Sequence, residues 1–226
     1  MTMEERYMNA LIFDMDGTLF QTNLILEMTL EDTFNQLRET GEWEGATPIE
    51  TYRNIMGVPL PKVWATLLPA HSQQVKEQVD AYFLERLVAH IEAGNGALYP
   101  STLETMAELQ KTHRIYIASN GLIPYLKAIV DYYGLDEFVQ GVYSIDQIDS
   151  MSKSDLVATI IKDHDIKSGA VIGDRLSDIN AAKDNGLVAI GCRFDFAQED
   201  ELAQADVVIE ELGELLMLVE KSVIGD

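Results

Sequence analysis

Leu11-Ile12-Phe13-Asp14-Met15-Asp16-Gly17-Thr18-Leu19-Phe20 is the most informative stretch of this 226-residue chain. A short apolar run of strand length ends in two aspartates one residue apart, followed by Gly-Thr. In open α/β sheets, ligands bind at the carboxyl ends of strands, so Asp14 stands where a site is expected. Taken alone, Asp-Gly-Thr also suits an ordinary turn and helix cap. The flanking sequence has to decide between these readings.

The run Ala10–Phe13 is the first of a series that continues at Ile115–Ala118, Gly141–Tyr143, Ala170–Ile172, Val188–Ile190 and Val207–Ile209. Most of these runs lead into Gly, Asp, Ser or Asn, as buried parallel strands do. Helical patterns lie between them at Ser101–Thr112, Ile123–Tyr133, Lys153–Asp163 and Asp178–Asn185. Such β-α-β alternation predicts an α/β protein with a doubly wound, Rossmann-like parallel sheet.

One interruption breaks the alternation. From about Gln21 to Ala93 helical spacing prevails, with Leu24, Met28, Phe34 and Leu37 on one expected helix and Val75, Val79, Tyr82, Phe83, Leu87 and Ile91 on another. The flexible Gly94-Asn95-Gly96 that follows suits a hinge. The expected organisation is a catalytic core over residues 1–20 and 95–226, with an α-helical cap inserted at 21–94.

Composition narrows the partners. Sixteen basic residues against 38 acidic ones give a formal charge of −22, which repels the backbone of a nucleic-acid polymer. An anionic substrate then needs a metal or a local cation to approach. Cys192 is the one cysteine and reads as a core residue, while His71, His90, His113 and His164 are scattered, with no paired ligand spacing. No segment offers the ~20 consecutive apolar residues of a membrane span, and MTMEERYMNALIF places acidic residues before a short apolar run. A cytoplasmic protein that binds no membrane is expected.

Three further signals follow Asp14 in chain order, each at a strand end or helix start: Ser119-Asn120-Gly121 after the Ile115 run, Lys153 in Ser152-Lys153-Ser154, and Gly173-Asp174-Arg175-Leu176-Ser177-Asp178. With Asp14-Met15-Asp16-Gly17-Thr18-Leu19 they resemble the four motifs of the haloacid dehalogenase-like hydrolase superfamily, and the helical insertion resembles its class I cap. The branch resembled is that of phosphoglycolate phosphatase and β-phosphoglucomutase. Pro100-Ser101 departs from the Pro-Gly common in this family after the cap.

The residues fit such chemistry in their own right. A carboxylate at Asp14 can attack phosphorus in line, splitting one hard hydrolysis into two easier steps. Two anions must meet, so a cation is required, and a hard oxygen site of aspartates favours Mg²⁺. The resemblance implies that the Asp14 carboxylate, the Asp16 main-chain carbonyl and the Asp174 carboxylate are metal ligands. Asp178 would act through water or by orienting Lys153. Asp16 would serve as general acid and then general base. Ser119, the Asn120 main-chain N–H and Lys153 would stabilise the phosphoryl oxygens, with Thr18 and Gly121 as further core contacts to substrate.

Specificity is expected in the cap. Arg53 and Lys62 flank the helix-breaking Gly57-Val58-Pro59 and are the candidates to meet a carboxylate or second phosphate on a small phosphorylated metabolite. Phosphomonoester hydrolysis is the leading activity. A β-phosphoglucomutase-type phosphomutase shares the whole core and stays open, as does a catalytically idle binding protein on the same fold.

Overall fold

Strand β1 (Asn9–Phe13) is the hub of the structure, a computed structural model that describes residues 9–55 and 58–220. Its parallel neighbours are β2 (Arg114–Ser119) and β4 (Ser168–Gly173), which set Tyr116 and Val171 on either side of Ile12. Beyond them lie β3 (Gly141–Ser144), β5 (Val188–Cys192) and β6 (Val207–Ile209), completing the order β3-β2-β1-β4-β5-β6. The chain winds outward from β1 to β3, then crosses back to β4 and winds the other way. The direction reverses beside β1, and the crevice outside the tips of β1 and β4 is the topological switch point.

Side chains alternate across the sheet with period two, which divides the core in two. Leu11, Phe13, Ile115, Ile117, Ala170 and Ile172 face one side, and Ala10, Ile12, Tyr116, Ala118, Val171 and Ala189 face the other. The second face is covered by α7 (Lys153–Asp163) and α8 (Leu176–Asp184), which pack on each other. The first is covered by α5 (Thr102–Leu109), α6 (Ile123–Tyr133) and α10 (Glu214–Glu220). Each fully buried Leu, Ile or Phe on these faces contributes roughly 1.5–3 kcal/mol. The short α9 (Glu199–Leu202) precedes β6.

Helix ends follow local chemistry. The Ser152 hydroxyl accepts from the Asp155 N–H and starts α7, while Gly134, at φ 69°, stops α6 in the left-handed conformation. Expected and observed bounds coincide for both helices. Elsewhere they differ: α5 ends at Leu109, short of Thr112, and α8 begins at Leu176, two residues before Asp178.

Four inserted helices follow β1: α1 (Asn23–Glu39), α2 (Ile49–Asn54), α3 (Leu60–Leu67) and α4 (Gln73–Glu92). They enclose Phe34, Trp64, Val79, Phe83, Leu87 and Ile91. The Trp64 indole N–H donates to Asp80 at 2.6 Å and its ring meets Phe83 edge-on. On α1 the sequence expectation needs correction, because Leu24 and Met28 are exposed. The face that packs on α4 is instead Ile25, Leu26, Leu30, Phe34 and Leu37.

The two links to this helical unit lie side by side. The Gln21 N–H donates to the Ala97 carbonyl and the Tyr99 N–H to the Leu19 carbonyl, both at 2.9 Å, with Phe20 bridged to Leu98 between them. Met56 and Gly57, in the expected specificity loop, lie outside the described residues, as do residues 1–8. No helix among the described residues is long and apolar enough to cross a membrane.

Ser101, where the family pattern favours glycine, has φ 62°. A side chain in the left-handed region costs roughly 1–2 kcal/mol, partly offset by the greater unfolded-state freedom of glycine. Ser101→Gly is therefore expected to stabilise the protein by about 0.5–1 kcal/mol, a rise of roughly 2–4 °C in Tm per kcal/mol, read by calorimetry. An unchanged or lower Tm would contradict the strain.

Candidate active site

At the β1 tip the chain turns sharply, because the Met15 carbonyl accepts from the N–H groups of Leu19 and Phe20 at 3.0 and 2.9 Å. The turn leaves Asp14 at the β1 tip, its N–H donating to the Ile172 carbonyl at 2.8 Å, and passes Gly17 close to the end of β4. A Cβ at Gly17, which has φ 73°, would sit 2.6 Å from an Asp174 carboxylate oxygen. At the β4 tip a Cβ on Gly173 would lie 2.1 Å from the Asp178 carboxyl carbon. Both glycines therefore make room for carboxylates.

Four charged groups meet in that space. The Lys153 ammonium, from the first turn of α7, is 2.7 Å from Asp14 Oδ1 and also pairs with Asp178 Oδ1. Asp178, from the first turn of α8, accepts with its other oxygen from the Arg175 N–H at 3.1 Å. One ligand atom from each of Asp14, Asp174 and Asp178 lies within 4.8 Å of the others, and all three residues are buried. Three carboxyl groups thus share one ammonium, more acid than the lysine alone can balance.

Electrostatics register the imbalance. Burial lifts the Asp174 carboxyl well above its usual range, and the charges of Asp14 and Asp178 lift it further. Asp178 is pushed up to about 6, chiefly by burial, with Lys153 pulling the other way. Burial also raises Asp14 despite Lys153. For Lys153 burial acts downward, but Asp14 and Asp178 outweigh it and hold the ammonium charged. Asp174 Oδ1 is buried without a hydrogen-bond partner among the described residues. A hard divalent cation fits this donor set, since it would satisfy that oxygen and neutralise the excess charge.

A stability prediction follows. With the Asp174 pKa raised in the folded state, the folded protein holds a proton that the unfolded chain releases. Stability without metal therefore falls as pH rises from the ordinary carboxylate range to the raised value, then levels off. Asp174→Asn is expected to raise Tm by a few degrees near neutral pH in EDTA, at about 2–4 °C per kcal/mol. It should also flatten the pH dependence and abolish the Tm increase expected from added Mg²⁺ if the cluster holds the ion. A Tm in EDTA that drops on substitution would contradict the repulsion.

Asp16 faces away from this cluster. Its Oδ1 accepts from the Thr22 hydroxyl and the Tyr125 phenol, each at 2.5 Å. Burial raises its pKa although both hydroxyls oppose the shift. It borders a small cavity of about 50 Å³ between the inserted helices and the core, lined also by Tyr52, Leu60, Phe83, Asn120, Gly121 and Tyr125 among others. Ser119 is buried at the β2 tip, where its Oγ accepts from the Gly121 N–H at 3.0 Å. The Thr18 hydroxyl is buried with no hydrogen-bond partner among the described residues.

The two expected cap cations stand elsewhere. Arg53 pairs with Glu27 and, at 2.8 Å, with Glu50, while Lys62 is exposed on α3. Neither lines the cavity. Sequence reasoning also passed over Thr22, Tyr125, Ser144 and Glu201. The Ser144 hydroxyl donates to the Gly121 carbonyl at 2.6 Å and so fixes the loop after β2. Glu201 accepts from the Leu176 N–H at 2.8 Å and from Arg175 Nε at 3.0 Å, anchoring the loop between Asp174 and Asp178. Ser144, at the end of a short apolar run, was the one with a readable signal.

The sheet order, the strand-tip aspartates and the paired lysine define a class. The chain belongs to the haloacid dehalogenase-like hydrolase family, whose pattern matches residues 8–186. Among relatives, it is 25% identical over 217 residues to the pyrophosphatase PpaX of Listeria monocytogenes, covering 93% of this chain and 95% of that one. It is 23% identical over 220 residues to the phosphoglycolate phosphatase of Pectobacterium atrosepticum, covering 93% and 92%. The structure of CbbY from Rhodobacter sphaeroides in complex with phosphate superposes with a TM-score of 0.79 at 23% identity, over 92% of this chain and 96% of that chain. That likeness speaks to the fold.

Proposed function

We propose that the protein is a Mg²⁺-dependent phosphatase that hydrolyses small phosphomonoesters through an aspartyl phosphate on Asp14. The observation that carries this reading is the pairing of Asp14 with Lys153 inside a buried acidic cluster, beside Asp16 at a cavity. The phosphate substrates named for the relatives PpaX and phosphoglycolate phosphatase support it.

Asp14 attacks phosphorus, and the bond to the ester oxygen breaks as the new one forms. Lys153 steadies the charge on the phosphoryl oxygens, and the Ser119 hydroxyl and Asn120 N–H donate to them. Asp16 passes its proton to the leaving alkoxide, then takes one from the water that attacks the aspartyl phosphate. Mg²⁺ held by the Asp14 and Asp174 carboxylates and the Asp16 carbonyl would neutralise charge as two anions meet. Asp178 fixes the lysine. Residues 21–94 serve as the cap over a core of 1–20 and 95–226, with Gly94-Asn95-Gly96, next to the paired links at 19–21 and 97–99, as the hinge.

The test is phosphate release from a broad panel of phosphorylated metabolites with Mg²⁺, with and without EDTA. Turnover that EDTA abolishes and Mg²⁺ restores is expected. Undiminished turnover in metal-free buffer, or none with any ester, would overturn the proposal.

A further inference from the structure

The cavity beside Asp16 is where the leaving group of a substrate would go, since Asp16 is the group that meets the leaving oxygen. Its remaining wall is mostly apolar. Leu60 comes from α3, Phe83, Leu84 and Leu87 from α4, and Leu122 from the loop before α6. Among the described residues lining it, the ionisable groups are Asp16 and the phenols of Tyr52 and Tyr125, and none is a cation. Met56 and Gly57, the two loop residues outside the description, carry no charge. Arg53 is held by Glu27 and Glu50, and Lys153 is committed to Asp14 and Asp178 on the phosphoryl side.

We infer that, within the phosphatase reading above, the substrate is the phosphomonoester of a small, uncharged and largely apolar alcohol. A carboxylate or second phosphate on the leaving group would enter this wall without a partner and beside the Asp16 carboxyl, at a cost that an apolar group does not incur. Size points the same way. The cavity is small, about 50 Å³, which favours a compact leaving group. The phenol of Tyr52 also lines the cavity and is a polar group there that could meet a single hydroxyl or carbonyl.

Matched pairs test the inference: propyl phosphate against phosphoglycolate, and phenyl phosphate against 4-carboxyphenyl phosphate, with inorganic pyrophosphate as a third anionic probe. The neutral member of each pair is expected to have the larger kcat/KM, by roughly ten- to a hundredfold. Leu60→Arg, at a half-exposed site, is expected to narrow or reverse the ratio by raising kcat/KM for the carboxylated member. Faster turnover of the anionic members by the unmodified enzyme would overturn the inference and leave the phosphatase reading standing. No turnover of any probe, neutral or charged, would instead defeat the phosphatase reading itself.

Discussion

Asp14→Asn is expected to lower kcat/KM for every phosphomonoester by about ten-thousandfold or more, because the amide keeps the shape of the carboxylate and loses the nucleophile. The fold should survive. The substituted side chain can still accept from Lys153 through its amide oxygen, and a group whose burial raises its pKa loses an unfavourable charge when neutralised. A Tm equal to or above that of the unmodified protein, together with lost turnover, is the expected pair of results. Activity within tenfold of the starting enzyme, with contamination excluded, would remove Asp14 from the mechanism.

The second large effect belongs to Asp16, and it depends on the leaving group. An alkoxide is a poor leaving group without a proton, whereas p-nitrophenolate departs unaided. Asp16→Asn is therefore expected to slow the phosphorylation step by about 10²–10⁴ for an alkyl phosphate, with a much smaller loss for p-nitrophenyl phosphate, measured in single turnovers. The raised pKa of Asp16 adds a pH signature. As pH rises through that value the proton is lost, so kcat/KM falls for alkyl esters and falls less for the aryl ester. Equal slowing of both esters would assign Asp16 a purely structural part.

The reach of the sequence differed between core and cap for a physical reason. Parallel strands buried on both faces are continuous apolar runs, so Ala10–Phe13, Ile115–Ala118 and Ala170–Ile172 were readable, and with them the strand ends that carry Asp14, Ser119 and Asp174. Caps were local too, which is why α6 and α7 were bounded correctly. On α1, by contrast, Leu24 and Met28 satisfied helical spacing as well as Ile25 and Leu26 do. The docking of α4 chose between the two stripes, and no window of α1 contains that information.

Partners distant in the chain were hidden for the same reason. Arg53 looked free to meet an anion, but Glu27, 26 residues earlier, holds it. Tyr125 carries no motif of its own on α6, yet its phenol reaches Asp16, 109 residues away. Charge type is written in the sequence, whereas the neighbour that captures a charge depends on packing. The apolar cavity wall became visible only once α3 and α4 were placed over Asp16.

The central claim is that phosphate passes through a covalent bond to Asp14. Rapid acid quenching of enzyme with a ³²P-labelled phosphomonoester, followed by proteolysis and mass spectrometry of the labelled peptide, tests it most directly. A transient, acid-stable and hydroxylamine-labile label on Asp14 is expected, appearing before free phosphate and absent from Asp14→Asn. Steady phosphate release at the normal rate with no labelled peptide at any time, or with the label on another residue, would contradict it.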